Sequence, residues 1–211
     1  MSSAAPAEQL RPSQIKRRGR VIAAALELGA EGGYDAVQMR DVAARADVAL
    51  GTIYRYFSSK DHVLAAAMQE WTDELRQRLT QVPPRGTAVA DQLVDVFRRA
   101  CRAMERQPLL TGALITALTS SDDGVAECTQ EVGNQISTIT DQILSALDGK
   151  TRERISRVIR HVWYATLTGW ANGRYDMKQV ADELENAIRL TVEPRYASNG
   201  KPTRTGSKLP K

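Results

Sequence analysis

Apolar positions recur at spacings of three and four along most of the chain, the period of helices buried on one face. From Ser13 to about Glu31, Val21, Ala25 and Leu28 form one line and Ile22, Leu26 and Gly29 the adjacent one, and Gly32-Gly33 ends the segment. Two short helices follow. The first covers about Arg40 to Ala46, with Val42 and Ala43 inward, and is closed by Asp47, a residue that tolerates the left-handed conformation. The second covers about Leu50 to Phe57, with Ile53 and Phe57 sharing the inner face. Ser58 is placed to cap the next helix, with Asp61 at its third position. Leu64, Ala67, Met68, Trp71, Leu75 and Leu79 then carry a stripe to about Thr80, before Pro83-Pro84 stops it.

The remainder repeats this grammar. Thr87 to Arg106 is strongly periodic, Pro108 opens a shorter element over Leu109 to Thr119, and Ser120 to Asp123 begins a helix bearing Val125, Val132, Ile136, Ile139, Ile143 and Leu147. Thr151 to Asn172 carries apolar groups on more than one stripe, so two of its faces are expected to be covered. Asp176 and Gln179 form a capping box for a last helix with Val180, Leu184, Ala187, Ile188 and Thr191 inward. These closing helices suit packing against a second copy of themselves or, equally, packing within one chain. The expected fold is all-α. A three-helix head spans 13–60 and a helical bundle 61–194, flanked by disordered tails over 1–12 and 195–211. No internal repeat is visible.

Composition narrows the function more by exclusion than by assertion. With 211 residues, 42% hydrophobic and 26% charged, the chain reads as a soluble globular protein of one domain or two small ones. It has no apolar run of about 18 residues, so no membrane partner is expected, and no apolar leader at Met1 to Pro12, so a cytoplasmic location is expected. Cys101 and Cys128 are expected to be free thiols, and no zinc spacing surrounds them. Asp122, Asp123, Glu127 and Glu131 are explained by helix-start charge rather than metal binding. Gly149-Lys150-Thr151 lacks the first glycine of a phosphate loop, Leu144 standing there, and reads as a turn. His62 and His161 lack metal spacing, and no nucleophile motif or cofactor glycine pattern is present. No enzyme activity and no cofactor are expected. The net charge of +4 is uneven: +3 over residues 1–60, −4 over 61–194 and +5 over 195–211. Lys16, Arg17, Arg18 and Arg20 cluster ahead of the short helices, either as a footprint for phosphates or as a solvated helix start.

The second short helix sets Thr52, Arg55 and Tyr56 on one face, flanked by Leu50, Gly51 and Tyr54. Arginine is the usual donor to guanine edges, hydroxyls reach phosphates or bases, and a glycine lets the helix start approach a backbone. Lys60 lies in the first turn of the following helix, where amides and a cation can hold a phosphate. The pattern alone leaves two readings, a DNA reader or a purely structural helix pair. The stretch Ala-Asp-Val-Ala-Leu-Gly-Thr-Ile-Tyr-Arg-Tyr-Phe-Ser-Ser-Lys-Asp-His-Val-Leu resembles the DNA-reading segment of TetR-family transcriptional regulators, where Gly-Val-Ser-x-Gly-Thr-Leu-Tyr-x-Tyr-Phe-x-x-Lys-x-x-Leu is usual. Asp47 replaces the family's usual glycine and Gln38 its usual threonine cap.

The resemblance implies a dimeric, ligand-released repressor on double-stranded operator DNA. It implies DNA contacts from Gln38, Arg40, Leu50, Gly51, Thr52, Tyr54, Arg55, Tyr56 and Lys60, and a body that binds a small hydrophobic effector and dimerises. A narrower resemblance, carried by residues 32–40, 107–111 and 157–163, is to actinobacterial repressors of sterol catabolism genes, for which Gln38 is no departure and the implied effector is a steroid acid joined to coenzyme A. Met104, Leu109, Leu110, Leu114, Leu118, Trp163, Leu167 and Trp170 are candidates to line the effector site, core packing being the competing role for each. Competing functional readings are another effector class within the family, and a helical binding protein or enzyme that touches no DNA.

Overall fold

The computed structural model describes residues 11–197, and the expected terminal tails fall almost entirely outside them. The described residues form nine α-helices and no strands: α1 (Pro12–Ala36), α2 (Met39–Ala46), α3 (Leu50–Ile53), α4 (Lys60–Gln81), α5 (Val89–Glu105), α6 (Pro108–Ala117), α7 (Asp123–Ile143), α8 (Gly149–Ala171) and α9 (Met177–Ala197). α1 is regular up to the glycine pair. Gly32 leaves helical geometry and Gly33 takes a φ of 71°, kinking the chain before one more turn. α9 continues to Ala197, three residues into the stretch expected to be a tail.

Local chemistry sets the element ends. Asp122 caps α7 by accepting from the Gly124 amide at 2.9 Å, and Asp176 and Gln179 exchange the two bonds of their capping box at 2.7 and 2.9 Å. Two expectations shift. Ser59, not Ser58, caps α4, accepting from the His62 amide at 3.1 Å, because the Ser58 hydroxyl is drawn away to Asp122. Gly149 to Thr151 is not a turn. It is the first turn of α8, capped by Asp148, which accepts from the Thr151 amide.

The head does not stand apart from the body. α1 packs on α2 and α4, but its most extensive contact is with α6 in the body. Gly29 permits this approach: a Cβ there would sit 3.0 Å from Leu110 Cδ1. α4 packs against α1, α6 and α7, and Val63, Leu64, Ala65, Ala66, Ala67 and Met68 are all buried. The expected single stripe therefore holds only farther along α4, where Trp71 and Leu75 are half-buried. In the body α5 and α8 both pack on α9, and α7 on α8.

Phe57 closes the head's core. It is fully buried, its ring lies edge-on to His62 with centroids 5.3 Å apart, and the Arg18 guanidinium stacks over it at 5.2 Å. Phe57→Ala should lower unfolding stability by about 3–5 kcal/mol in a denaturant titration, since a large buried ring leaves a cavity that neighbours fill only in part.

Candidate nucleic-acid interface and ligand cavity

The turn before α3 is made by Asp47 at φ 51° and ψ 57°, with the Val48 amide donating back to the Ala43 carbonyl. The regular part of α3 is shorter than expected, four residues instead of eight. Beyond Ile53 the chain tightens: the Tyr56 and Phe57 amides both donate to the Ile53 carbonyl, which brings Phe57 down into the core. Ile53 and Phe57 are fully buried, and the opposite side is open. Tyr54 is 52% exposed, Gln38, Arg40, Gly51 and Arg55 are exposed, and Leu50, Thr52, Tyr56 and Lys60 are half-buried. Among the described residues Arg40 and Arg55 make no hydrogen bond or ion pair. A Cβ on Gly51 would meet nothing within 4 Å, so nothing in the protein's own packing requires glycine there.

Three expected contributors are more constrained. The Gln38 amide donates to the Asp35 carbonyl at 2.9 Å. Lys60 Nζ sits 3.8 Å from the centre of the Tyr34 ring and donates to the Tyr34 carbonyl, while the Tyr34 hydroxyl donates to Asp61 at 2.6 Å. Burial, assisted by Asp61, pushes the Tyr34 phenol up to about 12. Arg18 leaves the expected basic footprint altogether. It turns toward the body, pairs with Glu70 at 2.7 Å and covers Phe57.

Sequence reading missed a polar knot where the head meets the body. The Ser58 hydroxyl donates to the Asp122 carboxylate, lying 2.7 and 2.8 Å from its two oxygens. His62 Nδ1 accepts from the Ser58 amide at 3.2 Å, which leaves its ring proton on Nε2. Gly124 is needed here, since a Cβ would lie 2.3 Å from His62 Nδ1. This is not a hydrolase triad: the carboxylate grips the serine instead of orienting the imidazole. What it does is tie the N-terminal ends of α4 and α7 together. Burial pushes the His62 imidazole below its ordinary range. Burial opposes the ionised form of Asp122, but the Ser58 and Ser59 hydroxyls and the Gly124 amide outweigh it and hold the carboxyl below its usual range.

Farther along the same two helices a cavity of about 610 Å³ opens between α4, α5, α6, α7 and α8. Four expected residues line it: Met104, Leu118, Trp163 and Leu167. Leu110 and Leu114 instead line a second space of about 370 Å³ between α1, α4, α5 and α6, which shares Met68, Trp71 and Met104 with the first. Leu109 is 54% exposed and Trp170 packs on the core, so neither lines either cavity. Leu109 follows Pro108 at the start of α6, where an apolar residue can face outward without breaking the helix period. The walls missed by sequence reading come from α4, α5, α7 and α8, among them Thr72, Phe97, Thr129, Gly133 and Arg160. Small and polar residues in an amphipathic stripe give no sign that they face an opening.

On α8 and α9, Val158 and Leu190 are exposed away from the cavity, Leu190 to 77%. Cys101 and Cys128 are buried and free, and burial pushes both thiols up to about 11, so neither is a ready nucleophile. Among the described residues no group of His, Cys, Asp and Glu could hold a metal ion, and no helix is long and apolar enough to cross a membrane.

A short reading helix on a helical body with an internal cavity is the plan of a ligand-responsive helix-turn-helix regulator. The family is shown by comparison with known proteins: the chain belongs to the TetR family of bacterial transcriptional regulators. Residues 21–67 match the tetR family of bacterial regulatory proteins, and residues 86–191 match the tetracyclin repressor-like C-terminal domain. The chain is similar to the HTH-type transcriptional repressor KstR of Mycolicibacterium smegmatis, with 36% identity over 85% of this chain and 89% of that protein. It is equally similar to KstR of Rhodococcus jostii, with 36% identity over 85% and 84%. A crystal structure of a TetR regulator from Rhodococcus sp. RHA1 superposes with a TM-score of 0.76 at 26% identity, covering 85% of this chain and 97% of that one. Thermus thermophilus FadR, solved with lauroyl-CoA, has the same fold, with a TM-score of 0.69 at 22% identity over 92% and 100%. The protein is thus a KstR-like, DNA-binding transcriptional repressor and not an enzyme.

The knot should titrate. Between the depressed His62 value and its ordinary 6.5, the unfolded chain holds a proton that the folded protein does not. Its contribution is therefore complete above about pH 6.5 and is lost as pH falls below it. His62→Gln should flatten that limb in urea titrations at stepped pH, leaving the more acidic limb from Asp122. An unchanged curve would show that His62 does not titrate with folding.

Proposed function

We propose that the protein works as a homodimer on a palindromic operator and is released by a steroid acyl-CoA thioester, so controlling genes of sterol or lipid catabolism. The observation that carries the DNA half is the open face of α3. Burying Ile53 and Phe57 leaves Arg55 exposed, with half-buried Thr52 and Tyr56 beside it, and Arg55 has no partner among the described residues. A guanidinium with five free donors on such a helix is suited to a guanine edge. Gln38, Arg40, Leu50, Gly51, Tyr54 and Lys60 surround it as positioning contacts to backbone and bases.

Support for the dimer comes from α8 and α9, which carry Val158 and Leu190 without cover. An isologous pairing through these helices would set the two heads at a fixed separation, and a two-fold protein asks for a two-fold DNA site. The protein would then act in the cytoplasm, where its operator lies.

Support for the effector comes from the cavity and the relatives. About 610 Å³ falls within the range of roughly 300–1,000 Å³ typical of small-molecule sites. Its deep walls are apolar, from Trp71, Phe97, Met104, Leu118 and Trp163. The likeness to KstR repressors favours a sterol-derived body over a linear chain. Release follows if the effector binds better to an arrangement in which α4 has moved and the heads no longer match the operator.

Both halves are open to direct test with DNA from upstream of the protein's own gene. Arg55→Ala should weaken binding by about 1–3 kcal/mol in fluorescence anisotropy, and equal affinity for variant and parent would remove Arg55 from the interface. Lys60→Ala should weaken all sequences alike and reduce the slope of log affinity against log salt by about one unit. A steroid acyl-CoA thioester should dissociate the parent complex at a lower concentration than palmitoyl-CoA does. The reverse order would assign the protein to the fatty-acyl branch, with the Bacillus subtilis fatty acid metabolism regulator, to which it is 28% identical.

A further inference from the structure

We infer that the cavity wall made by α7 and α8 is built to hold an oxyanion, with Arg160 as its counter-ion, so that the effector is an anionic amphiphile whose hydrophobic body points toward α4. This rests on the reading of the cavity as the effector site and adds the chemistry of the head group and the direction of binding. Three independent features meet there. Arg160 lines the cavity, its Nη1 donates to the Ser137 hydroxyl at 3.0 Å, and no carboxylate of the described residues pairs with it. Arg18, Arg98, Arg99 and Arg189 at other helix contacts have carboxylate partners, whereas Arg152, which also lacks one, does not line the cavity. The Arg160 stem crosses α7 at Gly133, where a Cβ would stand 3.2 Å from Arg160 Cδ, so the glycine makes room for the side chain.

The third feature is Thr129, one helical turn before Gly133 and therefore about 6 Å along the same side of α7. It lines the cavity too, and its hydroxyl is buried with no hydrogen-bond partner. A buried hydroxyl without a partner is uncommon because it loses its bonds to water and gains none in exchange. A half-satisfied guanidinium and an unsatisfied hydroxyl on one wall call for the same thing, a group with several acceptor oxygens and negative charge. A carboxylate meets this, and so does a phosphate of a coenzyme A thioester. A hydrocarbon, an alcohol or a cation does not. Gln130, Asn134, His161 and Tyr164 complete a polar rim, while Trp71 on α4 and Phe97 and Met104 on α5 supply apolar lining. An amphiphile seated this way is anchored on α7 and α8 and pushes with its apolar end on α4.

The test uses full-length protein and three probes of one shape: cholanic acid, its coenzyme A thioester and the matching primary alcohol. Binding is read from quenching of the cavity tryptophans and checked by calorimetry. Arg160→Met keeps the stem and removes the charge, Arg160→Lys keeps the charge, and Thr129→Val removes the hydroxyl. Arg160→Met should weaken the acid, the thioester or both by about tenfold or more, as loss of a charge-assisted contact implies, while leaving the alcohol within about twofold. Arg160→Lys should recover part of the loss, and Thr129→Val should show a smaller loss of the same selectivity. Loss confined to the acid assigns the site to a carboxylate, and loss confined to the thioester assigns it to a phosphate. Equal loss for all three probes, or none, overturns the inference while the effector reading stands. Failure of the parent to bind any probe overturns both. The far-UV circular dichroism and unfolding midpoint of each variant serve as the folding control, so that equal loss for all three probes is read only from folded protein.

Discussion

The structure depends on the stretch of α4 from Val63 to Met68 being buried on every side. Val63 to Met68 touch the head through α1 and the body through α6 and α7, and three successive alanines let those helices come close. A helix buried all round cannot slide on one face while resting on another. A shift of α4 must therefore be felt in the head, the cavity and the α7 junction together. The coupling proposed between effector and DNA would have its physical basis there, since close-packed interfaces switch between discrete arrangements more readily than they deform.

Two contacts tighten the arrangement. Ser58 and Asp122 join the starts of α4 and α7, the helices that part lower down to form the cavity. α1 docks on α6 through Gly29, and Arg18 reaches from α1 to Glu70 on α4 while covering Phe57. The head is thereby joined to the body by packing, by an ion pair and by a partly exposed polar knot. Of these the ion pair contributes least to stability, because Glu70 is half in water, so Arg18 matters more for the ring it covers.

The reading face shows the opposite economy. Its residues are held from beneath by Ile53 and Phe57 and left unsatisfied above. Exposed Tyr54 and unpaired Arg55 add nothing to folding, and Gly51 weakens its helix with no packing reason for being there. Such local inconsistency with foldability is what a surface shaped for a partner looks like. The wall formed by Thr129, Gly133 and Arg160 shows it inside the protein.

Much of this was legible in the residues alone. Periodicity is local, so the helices, the Asp47 turn, the capping box at Asp176 and the anchoring of α3 by Ile53 and Phe57 could be read directly. The family resemblance was legible for a related reason: a reading helix needs particular residue types at fixed spacing. Only the tertiary structure could decide what depends on residues distant in sequence. It took Arg18 out of the basic cluster and gave Ser58 to Asp122, sixty-four residues away, instead of to its own helix. It also sent Leu109 outward and built the cavity from Thr129, Gly133 and Arg160. Amphipathic spacing records that a face is covered. Whether another side chain or an open space covers it depends on where the other helices lie.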